Sequence, residues 1–236
     1  MIEIKTLASG SKGNCYWVTD GHTPLLLECG ISMKEIRRGT DFRTAEVEGC
    51  LITHEHGDHI KSVNNLLGFG TPCFMSKGTF EKAKIMDIYS SMVCFCEDRE
   101  QFRVGTWTIL PFEVQHDAVD PLGYLLVNQE GERLLFSTDT FYLRGIFPKL
   151  NYIMIECNYA LDILNENIRS GRVPAVQKKR LLQSHFSLEN VKEFLRANDL
   201  SQVKEIHLLH LSDRNSDEER FKREIQELTG KMVFIA

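Results

Sequence analysis

The sequence predicts an α/β fold with strands inside and helices outside, on three observations. Short apolar or alternating runs follow one another through the first two thirds of the 236 residues, the spacing of strands. Helical spacing then dominates the last third. No linker, internal repeat or low-complexity tract breaks the chain, so residues 1–236 are expected to form a single domain. With 42% hydrophobic residues there is enough apolar material for a substantial core.

The elements can be justified in order. IEIKTLA, CYWVT and PLLLECG are three strands separated by Gly, Ser, Asn and Asp turns. SMKEIRRGTD is a short helix opened by Ser32. GCLITH is a buried strand, IKSVNNLLGF a helix, TPCFMS a strand and KGTFEKAKIMD a helix. VCFC, QFRV, TWTILPFEVQ, LGYLLVNQ and ERLLFST form a strand-rich centre, and YIMIECN is a further apolar strand. ILNENIRSG, PAVQKKRLLQS and SLENVKEFLRAND are helices, the last with Ser187 as its N-cap. EIHLLHLS is a strand, SDEERFKREIQELTG an amphipathic helix and MVFIA a closing strand.

Composition excludes several classes. No apolar stretch approaches the roughly 20 residues that cross a bilayer, and the opening MIEIKTLASGSKGN reads as a strand rather than a signal peptide. A cytoplasmic protein with no membrane partner is expected; its oligomeric state is not set by the sequence. The seven scattered cysteines include no C-x-x-C knuckle and are expected as buried, reduced thiols. A net charge of -5 argues against attraction to nucleic acid over the whole surface, but not against a local basic groove.

The chemistry is concentrated in His54-Glu55-His56-Gly57-Asp58-His59, an H-x-H-x-D-H run that directly follows an apolar strand. In extended chain, residues two apart project to one side, so His54 and His56 can grip one ion. Gly57 lets the chain turn, after which Asp58 and His59 can address a second. The spacing is not that of the helical H-E-x-x-H site. A solvated polar turn is the competing reading; three histidines and an aspartate within six positions argue against it. His116, Asp139 and His210 each stand where another apolar strand runs out, which suggests one shared rim of ligands. Imidazole and carboxylate suit Zn2+ first, with Mn2+ or Fe as alternatives.

The order H-x-H-x-D-H, His, Asp, late His resembles the metallo-β-lactamase fold superfamily and its two-metal hydrolases. LASGSKGNCYWV, LLLECGIS, HDAVDPLGYLL, STDT, ECN and HLSDRN resemble the YycJ/WalJ-type group of nuclease-like members over almost the whole chain. The resemblance implies a four-layer αββα sandwich and a 5′-to-3′ exonuclease-like phosphodiesterase with a nucleic acid, DNA first, as substrate. It implies two divalent metal ions: one on His54, His56 and His116, one on Asp58, His59 and His210, with Asp139 bridging. Such a pair, roughly 3.5–4 Å apart, can pin a bridging hydroxide, and Asp58 could orient it or accept its proton. By likeness to ribonuclease Z-type relatives, His185 is assigned to the leaving oxygen or a phosphate. Two other readings of His185 stand: a residue that merely precedes the helix at Ser187, and a rival for the last ligand place. His210 is preferred there, since it ends an apolar strand and opens the HLS segment.

Ser9, Ser11 and Asn14 in SGSKGN are candidates for a phosphate-facing turn. Asn158 is a candidate for contacting substrate or supporting a ligand. Arg169, Arg172, Lys178, Lys179 and Arg180 give the segment before His185 a basic bias. Phe141, Tyr142 and Phe147 could stack on a base, with core packing expected for at least two of them. His207 and His22 are not offered as ligands. Two positions depart from the group's pattern: Glu28 where aspartate is usual, and Tyr159 where histidine follows ECN. A small-molecule hydrolase of the same fold, acting on a thioester, lactone or cyclic nucleotide, is the alternative reading. A non-catalytic metal-holding protein comes third.

Overall fold

The computed structural model describes residues 1–236, which divide into two compact units. One comprises Met1–Glu113 with Ala118–Glu132, the other Val114–Asp117 with Arg133–Ala236. No helix is long and apolar enough to cross a membrane.

The first unit opens with an antiparallel meander of β1 (Glu3–Ala8), β2 (Cys15–Thr19) and β3 (Pro24–Leu27). β4 (Gly49–Leu51), β5 (Cys73–Met75) and β6 (Val93–Phe95) then add in parallel, giving a six-stranded sheet in chain order. β4 and β5 are buried along their whole length, as parallel strands covered on both faces must be. Leu26, Cys50, Ile52, Leu66 and Met75 are among the side chains of this core. Each such burial is worth about 1.5–3 kcal/mol for a Leu- or Ile-sized side chain.

α1 (Met33–Gly39) starts where Ser32 predicted it. Ser32 Oγ accepts from the Glu35 amide at 3.3 Å, and the Glu35 carboxylate accepts from the Ser32 amide at 2.9 Å, a complete capping box. α2 (Gly57–Ile60) and α3 (Val63–Gly68) follow β4. α4 (Lys77–Lys82) is shorter than the sequence predicts, and a 3-10 turn occupies Asp87–Met92. The Asn64 side chain accounts for the early stop. It donates to the Lys84 carbonyl at 2.9 Å and accepts from the Met86 amide at 2.8 Å, offering this backbone an alternative to helix. β7 (Phe102–Val104), β8 (Trp107–Glu113) and β9 (Leu122–Val127) pair antiparallel. Their buried polar atoms are satisfied: Trp107 Nε1 donates to the Thr23 carbonyl at 2.9 Å and Tyr124 Oη to that of Ile52 at 2.7 Å.

The second unit is built on four parallel strands, β10 (Arg133–Ser137), β11 (Tyr152–Glu156), β12 (Glu205–Leu209) and β13 (Met232–Ile235). Parallel neighbours need long crossovers. α5 (Leu161–Arg169), α6 (Ala175–Ser184) and α7 (Leu188–Ala197) connect β11 to β12, and α8 (Glu218–Thr229) connects β12 to β13. Ser187 caps α7 as predicted, accepting from the Asn190 amide at 3.1 Å. Asp217 caps α8, which ends on a left-handed Gly230. α6 buries only Ser184, so its last turn, rather than an apolar face, ties it down.

In both units, ligand-type side chains leave the carboxyl ends of parallel strands, where open α/β sheets place their sites. In the first unit, close backbone approach fixes where they go. The Asp58 carbonyl accepts from the Asn14 amide at 2.7 Å, the His59 carbonyl from Cys29 at 2.8 Å, and the Asn14 carbonyl from Gly30 at 2.8 Å. A methyl on Gly30 would stand 1.6 Å from the Asp58 oxygen. Gly30→Ala is therefore expected to displace the 57–60 turn and cost about 1–3 kcal/mol. Gly57→Ala, where a methyl meets nothing within 4 Å, should be tolerated. Urea unfolding of the two variants checks this: equal midpoints would refute it.

Candidate metal centre

After β4 the chain stays extended through Thr53 and His54, then turns into α2 at Gly57. His54 and His56 project to one side, as their spacing requires. His54 Nε2 and His56 Nδ1 lie 3.0 Å apart, and the His54 and His59 rings approach to 4.1 Å. Two nitrogens each about 2.1 Å from one tetrahedral ion would be separated by about 3.4 Å, so the pair fits a shared cation. Asp58 Oδ2 lies 3.5 Å from His59 Nε2.

A carboxylate stands behind these rings. Glu28 follows β3 with a left-handed backbone (φ 64°) and is fully buried. It accepts from the Thr53 amide at 3.2 Å and lies 3.6 Å from His59 Nδ1. Thr53 Oγ1 in turn meets His54 Nδ1 at 2.9 Å. Burial pushes the Glu28 carboxyl above its usual range, while His59 and Thr53 pull it down. The longer arm of glutamate, where aspartate is usual in the group it resembles, thus still reaches both partners.

Asn14 is buried and braces the same turn. Its Nδ2 contacts the Asp58 carbonyl at 3.3 Å and His59 Nε2 at 3.2 Å, and its Oδ1 accepts from the Gly10 amide at 2.9 Å. Ser9 Oγ is bonded to Tyr16 Oη at 2.8 Å, and Ser11 is exposed. Of these three residues, Ser11 is the most open to solvent.

The second unit supplies the other predicted ligands. Asp139 follows β10 and His210 follows β12, both with left-handed backbones (φ 46° and 52°). His116 Nδ1 lies 2.8 Å from the Ser184 carbonyl, which can only accept. The proton therefore sits on Nδ1, and Nε2 presents a lone pair. That lone pair faces Asp139 Oδ2 at 3.5 Å and Asp117 Oδ1 at 3.3 Å. Burial lowers the His116 pKa, outweighing the neighbouring carboxylates, so the ring is neutral at pH 7. Acceptors then point at acceptors, an arrangement that a cation among them resolves. His210 Nδ1 lies 3.5 Å from Asp139 Oδ1. The residues fit divalent metal ions.

His185, at the end of α6, joins the same cluster. Its ring lies 5.5 Å from that of His116 and 5.7 Å from that of His210. Donor atoms of Asp139, Glu156, His185 and His210 all lie within 4.8 Å of one another. Burial pushes the His185 pKa down, but the charge and hydrogen bond of Glu156, with Asp139 and Asp117, outweigh it and raise the value to about 9. Glu156 Oε1 holds His185 Nδ1 at 2.6 Å, and Oε2 accepts from the Thr140 and Phe186 amides at 3.1 and 3.0 Å. Asn158 is buried and donates to the His210 carbonyl at 2.8 Å, so it braces that turn.

Glu156 and Asp117 are the site residues that sequence reasoning missed. The signal for Glu156 was a charged residue closing the otherwise apolar strand YIMIE. A carboxylate there is fully buried and must find partners. Other expectations are met on the periphery. His207 is buried against Phe234 with Nε2 3.0 Å from Glu205, and His22 lies in an exposed turn. Core packing for at least two of the three aromatics is not met: Phe147 is half-buried against Phe194, Phe141 is half-buried and Tyr142 is exposed. All cysteines are free, and Cys94 alone corrects the expectation of burial: it lies on the exposed half of β6.

No family model matches the chain. It is 31% identical to the exodeoxyribonuclease WalJ of Streptococcus pneumoniae, over 92% of its own length and 84% of that protein. It is 28% identical to the exodeoxyribonuclease YycJ of Bacillus anthracis, over 99% and 91% respectively. Among solved structures, the metallo-β-lactamase fold protein YhfI from Bacillus subtilis superposes with a TM-score of 0.75 at 15% identity, covering 100% of this chain and 96% of that one. The fold expected from the sequence is therefore the one found, and the chain is a metal-dependent hydrolase. It belongs to the YycJ/WalJ group and has the metallo-β-lactamase fold.

Proposed function

We propose that the chain is a dinuclear-metal phosphodiesterase acting on DNA, an exonuclease of 5′-to-3′ polarity. One observation carries the reading: every ligand-type residue of the two-metal pattern is present, at strand ends, in a chain whose relatives over most of its length are named exodeoxyribonucleases. His54, His56 and His116 would hold one ion, and Asp58, His59 and His210 the other, with Asp139 shared. Two divalent cations there would supply Lewis acidity and an activated water at neutral pH, Zn2+ being the first choice and Mn2+ or Fe the alternatives.

The chain's own residues do the rest. Glu28 and Asn14 hold His59, Thr53 holds His54, and Asn158 holds the His210 turn. Such partners fix tautomer and ring orientation, and losing one typically costs about 10–100-fold in metal affinity or activity. Asp58 is half-buried beside His59, able to accept the proton of the attacking water. His185 keeps its Nδ1 proton on Glu156 and leaves Nε2 to deliver a proton to the departing 3′ oxygen.

Chelation should stop the release of nucleotides from end-labelled DNA, and added Zn2+ or Mn2+ should restore it. His56→Ala and Asp139→Asn should remain inactive under the same reconstitution. Equal slow degradation by chelated and metal-loaded protein would sink the proposal. A faster turnover of thioesters than of bis-p-nitrophenyl phosphate would instead select the small-molecule hydrolase.

His185→Ala should lower kcat about 10²–10⁴-fold with metal content unchanged. Glu156→Gln should lower kcat by about 10–100-fold without raising KM. Steady-state kinetics with metal analysis checks both. Loss of bound metal in His185→Ala would make His185 a ligand rather than an acid.

A further inference from the structure

Several arginines of the second unit are neutralised. Arg169 pairs with Glu166 at 2.6 Å, Arg180 with Asp117 at 3.2 Å, and Arg220 with Asp162 and Glu224 at 2.7 and 2.6 Å. Arg172 and Arg214 differ. Neither makes an ion pair, and both line one cavity of about 460 Å³ together with Asn167 and Asp213.

The cavity is built rather than incidental. Arg172 Nε donates to Ser170 Oγ at 2.9 Å, which steadies the guanidinium and leaves its terminal nitrogens open. Arg214 is anchored through its backbone. Its carbonyl accepts from Asn167 Nδ2 at 2.7 Å, and its amide reaches Ser212 Oγ at 3.4 Å. Asn167 is itself buried and also donates to Asn215 Oδ1 at 2.9 Å. Two cations against the single carboxylate of Asp213 leave the lining net positive. Forked guanidiniums match the oxygens of a phosphate. Arg214 lies four positions after His210, on the loop that leaves the proposed metal centre.

We infer that the cavity between Arg172 and Arg214 is a phosphate subsite, gripping the backbone of the nucleic-acid substrate away from the scissile bond. The inference rests on the nuclease reading and names the part of the substrate it engages. It also places positive charge where a chain of net charge -5 can draw a polyanion despite its overall sign.

Arg172→Ala, Arg214→Ala and the double variant would be compared with wild type, all metal-loaded, on a single-stranded oligodeoxynucleotide across a salt series. The double variant should raise KM about tenfold at low salt, the loss of one or two charge-assisted contacts. The slope of log KM against log salt should fall by about 0.7 for each phosphate contact removed. Far-UV circular dichroism would verify folding, and Arg172→Lys should recover part of the affinity. An unchanged KM and slope in a folded double variant would overturn the subsite while leaving the nuclease reading intact. Wild type unable to cut DNA would end that reading and the subsite with it. Inorganic phosphate binding that the double variant abolishes, with KM for DNA unaltered, would show a site for a free anion and overturn the backbone assignment.

Discussion

The second unit is organised around acceptors that face one another. His116 is locked by the Ser184 carbonyl with its lone pair turned toward Asp139 and Asp117. The neutral imidazole offers these carboxylates no proton on that side, while Thr138 donates to Asp139 and Arg180 to Asp117. Positive charge placed among the three makes the arrangement favourable. The surrounding hydrogen bonds orient these side chains: His116 Nδ1 donates to the Ser184 carbonyl, Thr138 Oγ1 donates to Asp139, and Thr53 Oγ1 meets His54 Nδ1.

Backbone geometry meets the same requirement at a cost. Glu28, Asp139 and His210 are non-glycine residues in left-handed conformation, each at or just past the end of a parallel strand. Such a residue costs of the order of 1–3 kcal/mol. Glycine would remove the strain, but it would also remove the carboxylate or imidazole. The strain persists because neighbouring register fixes the chain on both sides: Glu28 donates to the Leu51 carbonyl at 2.9 Å, and the His210 carbonyl is held by Asn158. The stable strands lie under the site, and the tension lies at their ends.

Much of this was legible in the sequence because it was dense or periodic. Six consecutive positions carried four side chains of the type that binds metals, and apolar runs stopped at His116, Asp139 and His210. Capping residues gave Ser32 and Ser187 their helices. What stayed hidden depended on partners distant in the chain. Glu156 meets His185, 29 positions away, and a lone glutamate at a strand end gives no hint of that. Asn64 ends α4 through contacts 20 and 22 positions on, which no local propensity records. Asn14 looked like a phosphate-facing turn residue. Its role as a buried brace appears only once the Asp58 carbonyl is seen against it.

The basic segment shows why counting charges misleads. Arg169, Arg172 and Arg180 are alike in sequence, yet the fold assigns them different fates. An arginine paired to a carboxylate offers an approaching phosphate little, because binding must first break the existing pair. Arg180 is of this kind: it is tied to Asp117, next to His116, and so serves the local electrostatics of the ligand loop. Arg172 has a serine hydroxyl as partner, which orients the guanidinium without cancelling its charge. The charge available to a polyanion is therefore set by which cations the fold leaves uncompensated, and that selection is made by tertiary contacts.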